Sequence, residues 1–215
     1  MQKSLGNSGD PTPKVRIRFG PGVFLGLGCL WLAALSLGTN SLMAGDRRPG
    51  RETSAPGVWP RESTLLPFPD GTMSVLIAHP KCPCTQASLD QLAQIVSRSP
   101  RPLRGYVLFS RPAAVPSSWA RTALWDRVSE IPGFTPLEDV DGREAHRFGA
   151  ATSGHFLLYD SKGALRFSGG ITSARGAQGE SAGMNSALAY LTTGACPFSR
   201  TPIFGCPIDD PDTKR

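Results

Sequence analysis

The chain has 215 residues, 40% of them hydrophobic and 19% charged, which is enough for one domain with a packed core and excludes a mini-protein. The formal net charge is +6, but from Ala44 onward 19 basic residues stand against 16 acidic ones, a net of +3, with the arginines scattered along the chain. Because a nucleic-acid site needs basic residues massed on one face, we predict no nucleic-acid partner.

The N-terminal part of the chain carries an apolar segment without any charged side chain, from residue 19 to residue 45. It is long enough to cross a bilayer, which takes about 20 residues. Basic residues stand directly before it and predict a cytoplasmic N-terminus at 1–18, a transmembrane anchor at 19–43 and export of the rest. The alternative is a cleaved signal peptide that ends near Ala44.

Three regions are predicted after the apolar segment. Residues 44–71 are rich in Pro, Gly and charge, which indicates a stalk. Residues 72–192 form the predicted domain, and residues 193–215 form a C-terminal extension rich in Cys and Pro.

Hydrophobic patterning predicts the elements of the domain. Short apolar runs bounded by turn residues indicate buried strands, and apolar residues at helical spacing indicate helices. A strand, a helix and a second strand imply a right-handed parallel crossover, and a late hairpin adds antiparallel strands, so the class is α/β with a mixed central sheet. The predicted elements are a strand at 72–79, a helix at 85–97, a strand at 105–109, a helix at 117–130, a hairpin at 153–160 and 164–168, and a helix at 181–191.

Five cysteines are present, and Cys29 lies in the apolar segment. The other four form two pairs, Cys82 with Cys84 and Cys196 with Cys206. In an exported protein an even number of cysteines usually indicates disulfides. We therefore expect a second disulfide between Cys196 and Cys206, either as a staple for the extension or as an electron relay to Cys82.

The first pair stands where a buried strand meets the start of a helix. Pro83 suits the first helical position, which makes Cys82 the capping residue and the more exposed sulfur. Unpaired backbone N–H groups and the helix dipole favour a thiolate there, and we expect Lys81 and His79 to lower the thiol pKa further. Cys82 is thus the predicted nucleophile, and Cys84 the predicted resolving cysteine.

Residues 76–89, which include this cysteine motif, and the hairpin at 156–170 resemble the thioredoxin-like superfamily, most nearly membrane-anchored bacterial proteins of the RedB type. The resemblance covers about residues 70–192 and implies a thioredoxin-like three-layer α/β/α sandwich. It also implies a thiol–disulfide oxidoreductase without a cofactor, acting on protein thiols or disulfides and on a membrane-associated redox partner. The implied location is the inner membrane, with a single pass and the domain facing the periplasm.

Two features depart from the family pattern. Only Pro83 separates the cysteines, where the family usually has two residues, and a disulfide across so short a spacer is expected to be strained. Residues 151–154, before the hairpin, lack the proline that the family usually has there.

Metal binding is the alternative function for the same residues. His79, Cys82 and Cys84 offer one imidazole and two thiolates, a soft set suited to copper(I) or zinc. His146 and His155 are the only histidines that can add to it. A third hypothesis is a structural or partner-binding role, in which the short cysteine pair is only a local cross-link. We favour redox chemistry and predict no bound metal, because a helix start activates a thiol with or without a metal ion.

Overall fold

The computed structural model describes residues 20–51, 53–68 and 71–209, and the predicted cytoplasmic segment 1–18 lies outside these ranges. The chain divides into two compact units at Met43.

Helix α1, Pro21–Asp46, dominates the first unit. Its stretch Phe24–Ser41 is long and apolar enough to cross a membrane, and none of it is buried within the protein. A signal sequence near an N-terminus has the same length and composition. The structure thus contains the apolar helix that the sequence predicts.

The second unit is built on a five-stranded mixed sheet with the order β3-β2-β1-β4-β5. The first three strands are parallel, whereas β4 is antiparallel to β1 and β5 is antiparallel to β4. The strands are β1 at Thr72–Ala78, β2 at Leu103–Arg111, β3 at Phe134–Val140, β4 at His155–Tyr159 and β5 at Leu165–Gly170.

Helices cover both faces of this sheet. One hydrophobic cluster joins the sheet to α2, α3 and α5, and the other joins the opposite face to α4 and to residues upstream of β1. This three-layer arrangement is a thioredoxin-like fold, as predicted. The helices are α2 at Pro83–Arg98, α3 at Ala123–Ser129, α4 at Arg143–Arg147 and α5 at Ala182–Thr193, with a single 3₁₀ turn at Ser117–Trp119.

The central strand β1 shows why the sequence folds in this way. Leu76 and Ala78 belong to one hydrophobic cluster, and Val75 and Ile77 belong to the other. Side chains alternate between the faces of a strand, and both faces are covered here, so β1 reads as a continuous apolar run.

Two elements differ from the predictions. Strand β3 was not predicted, because Pro136 and the acidic residues Glu138 and Asp139 interrupt the apolar pattern of a strand that lies at the sheet edge. The helix predicted at 117–130 is divided, because Thr122 adopts extended backbone and begins α3 as its N-cap.

Most of the predicted stalk is not a stalk. Ala55 and Leu65 are buried in the second hydrophobic cluster, and the Trp59 N–H donates to the Gly163 oxygen at 2.8 Å. The Trp59 ring meets the Phe148 ring edge-on with a centroid distance of 4.9 Å. The high Pro and Gly content concealed these few apolar residues, which are enough to pack the segment 53–68 onto the sheet.

Glu144 ties this segment to α4. Its carboxylate accepts hydrogen bonds from the Ser63 hydroxyl at 2.7 Å, the Thr64 N–H at 3.0 Å and the Thr64 hydroxyl at 2.8 Å, and it is paired with Arg147. Burial raises the pKa of Glu144, but the hydrogen bonds from Thr64 and Ser63 and the contact with Arg147 outweigh burial and hold the pKa below its usual value.

We expect Glu144→Ala to lower the free energy of unfolding by about 2–3 kcal/mol, because it removes the charged acceptor of three hydrogen bonds from Ser63 and Thr64. The measurement is urea denaturation of the full chain, followed by tryptophan fluorescence. A folded-state pKa below the unfolded value stabilises the fold at higher pH, and this contribution is lost as the pH falls through the folded-state pKa. The difference between parent and variant therefore shrinks in acid.

Glu180→Ala is the matched control, since Glu180 forms an exposed ion pair with Arg98. Its expected cost is below about 1 kcal/mol. Equal losses in the two variants would show that the contacts of Glu144 do not hold the segment.

Candidate functional site

The turn from β1 into α2 places the cysteine motif. Helix α2 begins at Pro83 with Cys82 as its N-cap in extended backbone, as the sequence predicts. Thr85 fixes this turn from inside the helix: its hydroxyl accepts from the His79 N–H at 3.1 Å and donates to the His79 oxygen at 2.9 Å. The Cys82 sulfur therefore lies at the positive end of α2.

Both cysteines of the motif are buried. Cys82 is 2% exposed and Cys84 is 5% exposed, so the prediction that Cys82 is the more exposed sulfur is wrong. The reason is the C-terminal extension, which returns to the domain and places the Cys206 Sγ 2.6 Å from the Cys82 Sγ. This separation lies between the length of a disulfide, about 2.05 Å, and that of an ordinary sulfur–sulfur contact.

Residues 151–154 form a second wall of the site. The Gly154 N–H donates to the Ile77 oxygen of β1 at 2.7 Å, which holds this loop against the strand. The Ser153 hydroxyl then lies 3.6 Å from the Cys82 Sγ, to which it donates. Ser153 is absent from the residues predicted above as site residues, because its only sequence signal is its place where the family usually has a proline.

The electrostatics of the site favour a thiolate on Cys82. The Cys84 thiol, which hydrogen-bonds to the Cys82 sulfur, has the largest effect and lowers the pKa of Cys82. Burial opposes it, and hydrogen bonds from Cys206 and Ser153 add to the lowering. The same Cys84–Cys82 hydrogen bond, with burial and the charge on Cys82, raises the pKa of Cys84, so Cys84 keeps its proton and acts as a donor.

The residues predicted to tune the thiol have other contacts. The Lys81 Nζ lies 4.9 Å from the centroid of the Trp119 ring, and the His79 ring meets the same ring edge-on at 5.6 Å. The His79 Nδ1 accepts from the Lys81 N–H at 3.3 Å. The groups that lower the pKa of Cys82 are the two neighbouring thiols, the Ser153 hydroxyl and the backbone N–H of Cys84 at the helix start.

The predicted Cys196–Cys206 disulfide is not formed in the structure, which describes all five cysteines and records no disulfide among them. The Cys196 thiol donates to the Phe198 oxygen at 3.2 Å. Cys206 goes to Cys82 instead, because the backbone of its segment pairs with the loop at 151–154: Thr152 and Pro207 form an antiparallel bridge.

The histidines considered for a metal site are engaged elsewhere. His155 is fully buried in β4, its Nε2 lies 2.8 Å from the Ser168 Oγ, and burial lowers its pKa to about 4. The His146 Nε2 lies 3.4 Å from the Asp209 carboxylate. Within residues 20–51, 53–68 and 71–209, no group of three or more His, Cys, Asp or Glu side chains is placed to hold a metal ion.

No protein-family model matches the chain, and no curated protein matches it. Among solved structures, a hypothetical protein of Sinorhizobium meliloti 1021 is 22% identical, with 74% of this chain and 98% of that chain covered and a TM-score of 0.53. An uncharacterized conserved protein of Geobacillus kaustophilus is 19% identical, with 77% and 94% covered and a TM-score of 0.53. A secreted Mycobacterium tuberculosis disulfide oxidoreductase is 22% identical over 44% of this chain and 66% of that chain, with a TM-score of 0.35. The first two likenesses show a shared fold, and the topology described above is thioredoxin-like.

We expect Cys84→Ala to raise the pKa of the Cys82 thiol more than Ser153→Ala does, because the Cys84 thiol makes the largest contribution to lowering it. The measurement is a pH titration of thiolate ultraviolet absorbance in the reduced full chain, with Cys29 and Cys196 replaced by serine in every sample.

Ser110→Ala is the matched control, because Ser110 is also buried but its hydroxyl donates to the Ala78 oxygen. It should leave the titration of Cys82 unchanged. The same pKa for Cys82 in the parent and in Cys84→Ala would contradict the assigned role of the Cys84 thiol.

Proposed function

We propose that this protein is a membrane-tethered thiol–disulfide oxidoreductase whose nucleophile is Cys82, in the Cys-Pro-Cys motif at the start of α2. The observation that carries the proposal is the set of thiols around the Cys82 sulfur, in which Cys84 and Cys206 both hydrogen-bond to it and lower its pKa. A thiolate is the attacking species in thiol–disulfide exchange, so this environment suits that chemistry.

The proposed reaction needs only sulfur. The Cys82 thiolate attacks one sulfur of a substrate disulfide, forms a mixed disulfide, and releases the other substrate sulfur as a thiolate that takes a proton from solvent. A second protein thiol then attacks the Cys82 sulfur and releases the first substrate sulfur as a thiol. The substrate disulfide is reduced, two protein thiols are oxidised, and an external dithiol returns them to the reduced form.

The proposed substrates are protein thiols or disulfides, and the proposed electron donor or acceptor is a membrane-associated redox partner. Helix α1 supports the tether, because it is long and apolar enough to cross a membrane. The basic residues before it favour a cytoplasmic N-terminus, so we place the domain on the periplasmic side of the inner membrane.

Copper delivery is not proposed as a second function. His146 and His155, the two histidines that could join His79, Cys82 and Cys84, contact Asp209 and Ser168 instead. No observation therefore favours the metal over the redox hypothesis.

Cys82→Ser is expected to abolish disulfide reductase activity, because serine cannot form the mixed disulfide. The assay follows reduction of a protein disulfide by the full chain with a dithiol as electron source. Cys196→Ser is the matched control and is expected to keep parental activity, since the Cys196 sulfur lies against the Phe198 oxygen. Equal activity in Cys82→Ser and the parent would exclude the proposed nucleophile.

The membrane orientation is tested in cells with a permeable outer membrane. A maleimide that does not cross the inner membrane is expected to label Cys196, which is half-buried, while a cysteine introduced by Ser8→Cys is labelled only after the inner membrane is opened. The reverse pattern would contradict the orientation. Recovery of a soluble chain that starts near Ala44 would contradict the tether.

A further inference from the structure

Cys206 contacts the nucleophile from the C-terminal extension, far along the chain from Cys82. It is 124 residues away from Cys82 in the chain, yet the two sulfurs are 2.6 Å apart. Neither a periodic sequence pattern nor closeness in sequence predicts this contact between the two sulfurs. The segment that carries Cys206 must therefore be positioned by contacts of its own.

Backbone hydrogen bonds hold Cys206 against the loop at 151–154. The Ser153 N–H donates to the Cys206 oxygen at 2.8 Å, and the Cys206 N–H donates to the Ser153 hydroxyl at 2.9 Å. The Ile208 N–H donates to the Ala151 oxygen at 3.1 Å. Cys206 is thus fixed on both sides of its Cα, and the same serine contacts both Cys206 and the Cys82 sulfur.

Glycines make room for this segment. A Cβ on Gly205 would lie 1.9 Å from the Ser153 oxygen, and one on Gly170 of β5 would lie 2.5 Å from the Pro202 oxygen. Contacts this short exclude any other residue unless the backbone moves. Ile203 and Ile208 are buried on either side of Cys206 and anchor the segment to the domain.

The other cysteine of the motif is less well placed to resolve a mixed disulfide. Cys84 lies inside the first turn of α2, and a Cys82–Cys84 disulfide would close a ring with a one-residue spacer. The Cys206 sulfur, in contrast, already lies 2.6 Å from the Cys82 sulfur.

We propose that Cys206 is the resolving cysteine of this site. The inference rests on the proposed function. After the mixed disulfide has formed between Cys82 and the substrate, the Cys206 thiol gives up its proton and attacks the Cys82 sulfur. The Cys82–Cys206 bond forms, the bond between Cys82 and substrate breaks, and the departing substrate sulfur takes the proton. Cys82 and Cys206 are oxidised, and the substrate disulfide is reduced to two thiols.

The same segment covers the nucleophile. Cys82 is 2% exposed, and its sulfur meets the Cys206 sulfur of this segment.

The test uses the reduced full chain and a glutathione disulfide probe. After mixing, the thiols are blocked with a maleimide at set times, and disulfides are mapped by mass spectrometry. We expect the parent to yield the Cys82–Cys206 disulfide with Cys84 blocked as a free thiol. Cys84→Ser should still yield that disulfide, and Cys206→Ser should retain the glutathione adduct on Cys82 about 100-fold longer, since it lacks a positioned attacking thiol.

Gly205→Val keeps Cys206 but displaces its segment, and it should also prolong the adduct. Cys196→Ser is the matched control in the same extension and should resolve at the parental rate. Resolution through Cys84 in the parent, or an unchanged adduct lifetime in both Cys206→Ser and Gly205→Val, would overturn the inference and leave the proposed function intact. Failure of Cys82 to form any adduct would overturn both.

Discussion

The site depends on the two hydrogen bonds through which Thr85 closes the turn between β1 and α2. One hydroxyl accepts from the N–H and donates to the oxygen of His79, so the last residue of the turn is tied to the first. This closure lets a fully buried strand end and a helix begin within a few residues, with Cys82 at the cap. If the turn opened, the Cys82 sulfur would lose its position at the helix start and its contacts with Ser153 and Cys206.

Much of the fold could be predicted from local pattern, because its central elements bury both faces or alternate clearly. Strand β1, helix α2 and the late hairpin all carry continuous or periodic apolar residues. Strand β3 could not be predicted, since an edge strand pairs on one side only and tolerates Pro136 and Glu138. The segment 53–68 was missed because isolated residues, such as Trp59 and Leu65, carry its packing.

The candidate site likewise has one part that local sequence predicts and another that it does not. The N-cap position of Cys82 follows from local rules, because Pro83 fits the first turn of a helix. The contacts of Cys206 and Ser153 with that sulfur depend on chain segments that meet only in the folded domain. Closeness in sequence also suggested a pKa-tuning role for Lys81 and His79; in the structure both pack against Trp119, and that role stays a prediction.

The long chain separation of Cys82 and Cys206 links redox state to folding. A bond between them closes a loop of more than 120 residues. Because a cross-link of that span reduces the conformational entropy of the unfolded chain, it raises the free energy of unfolding by about 4–5 kcal/mol. By thermodynamic reciprocity, a bond that stabilises the native state is itself stabilised by that state. Each catalytic cycle through this bond would therefore raise and then lower the free energy of unfolding of the whole domain. The stability of the domain would depend on the redox potential of its surroundings.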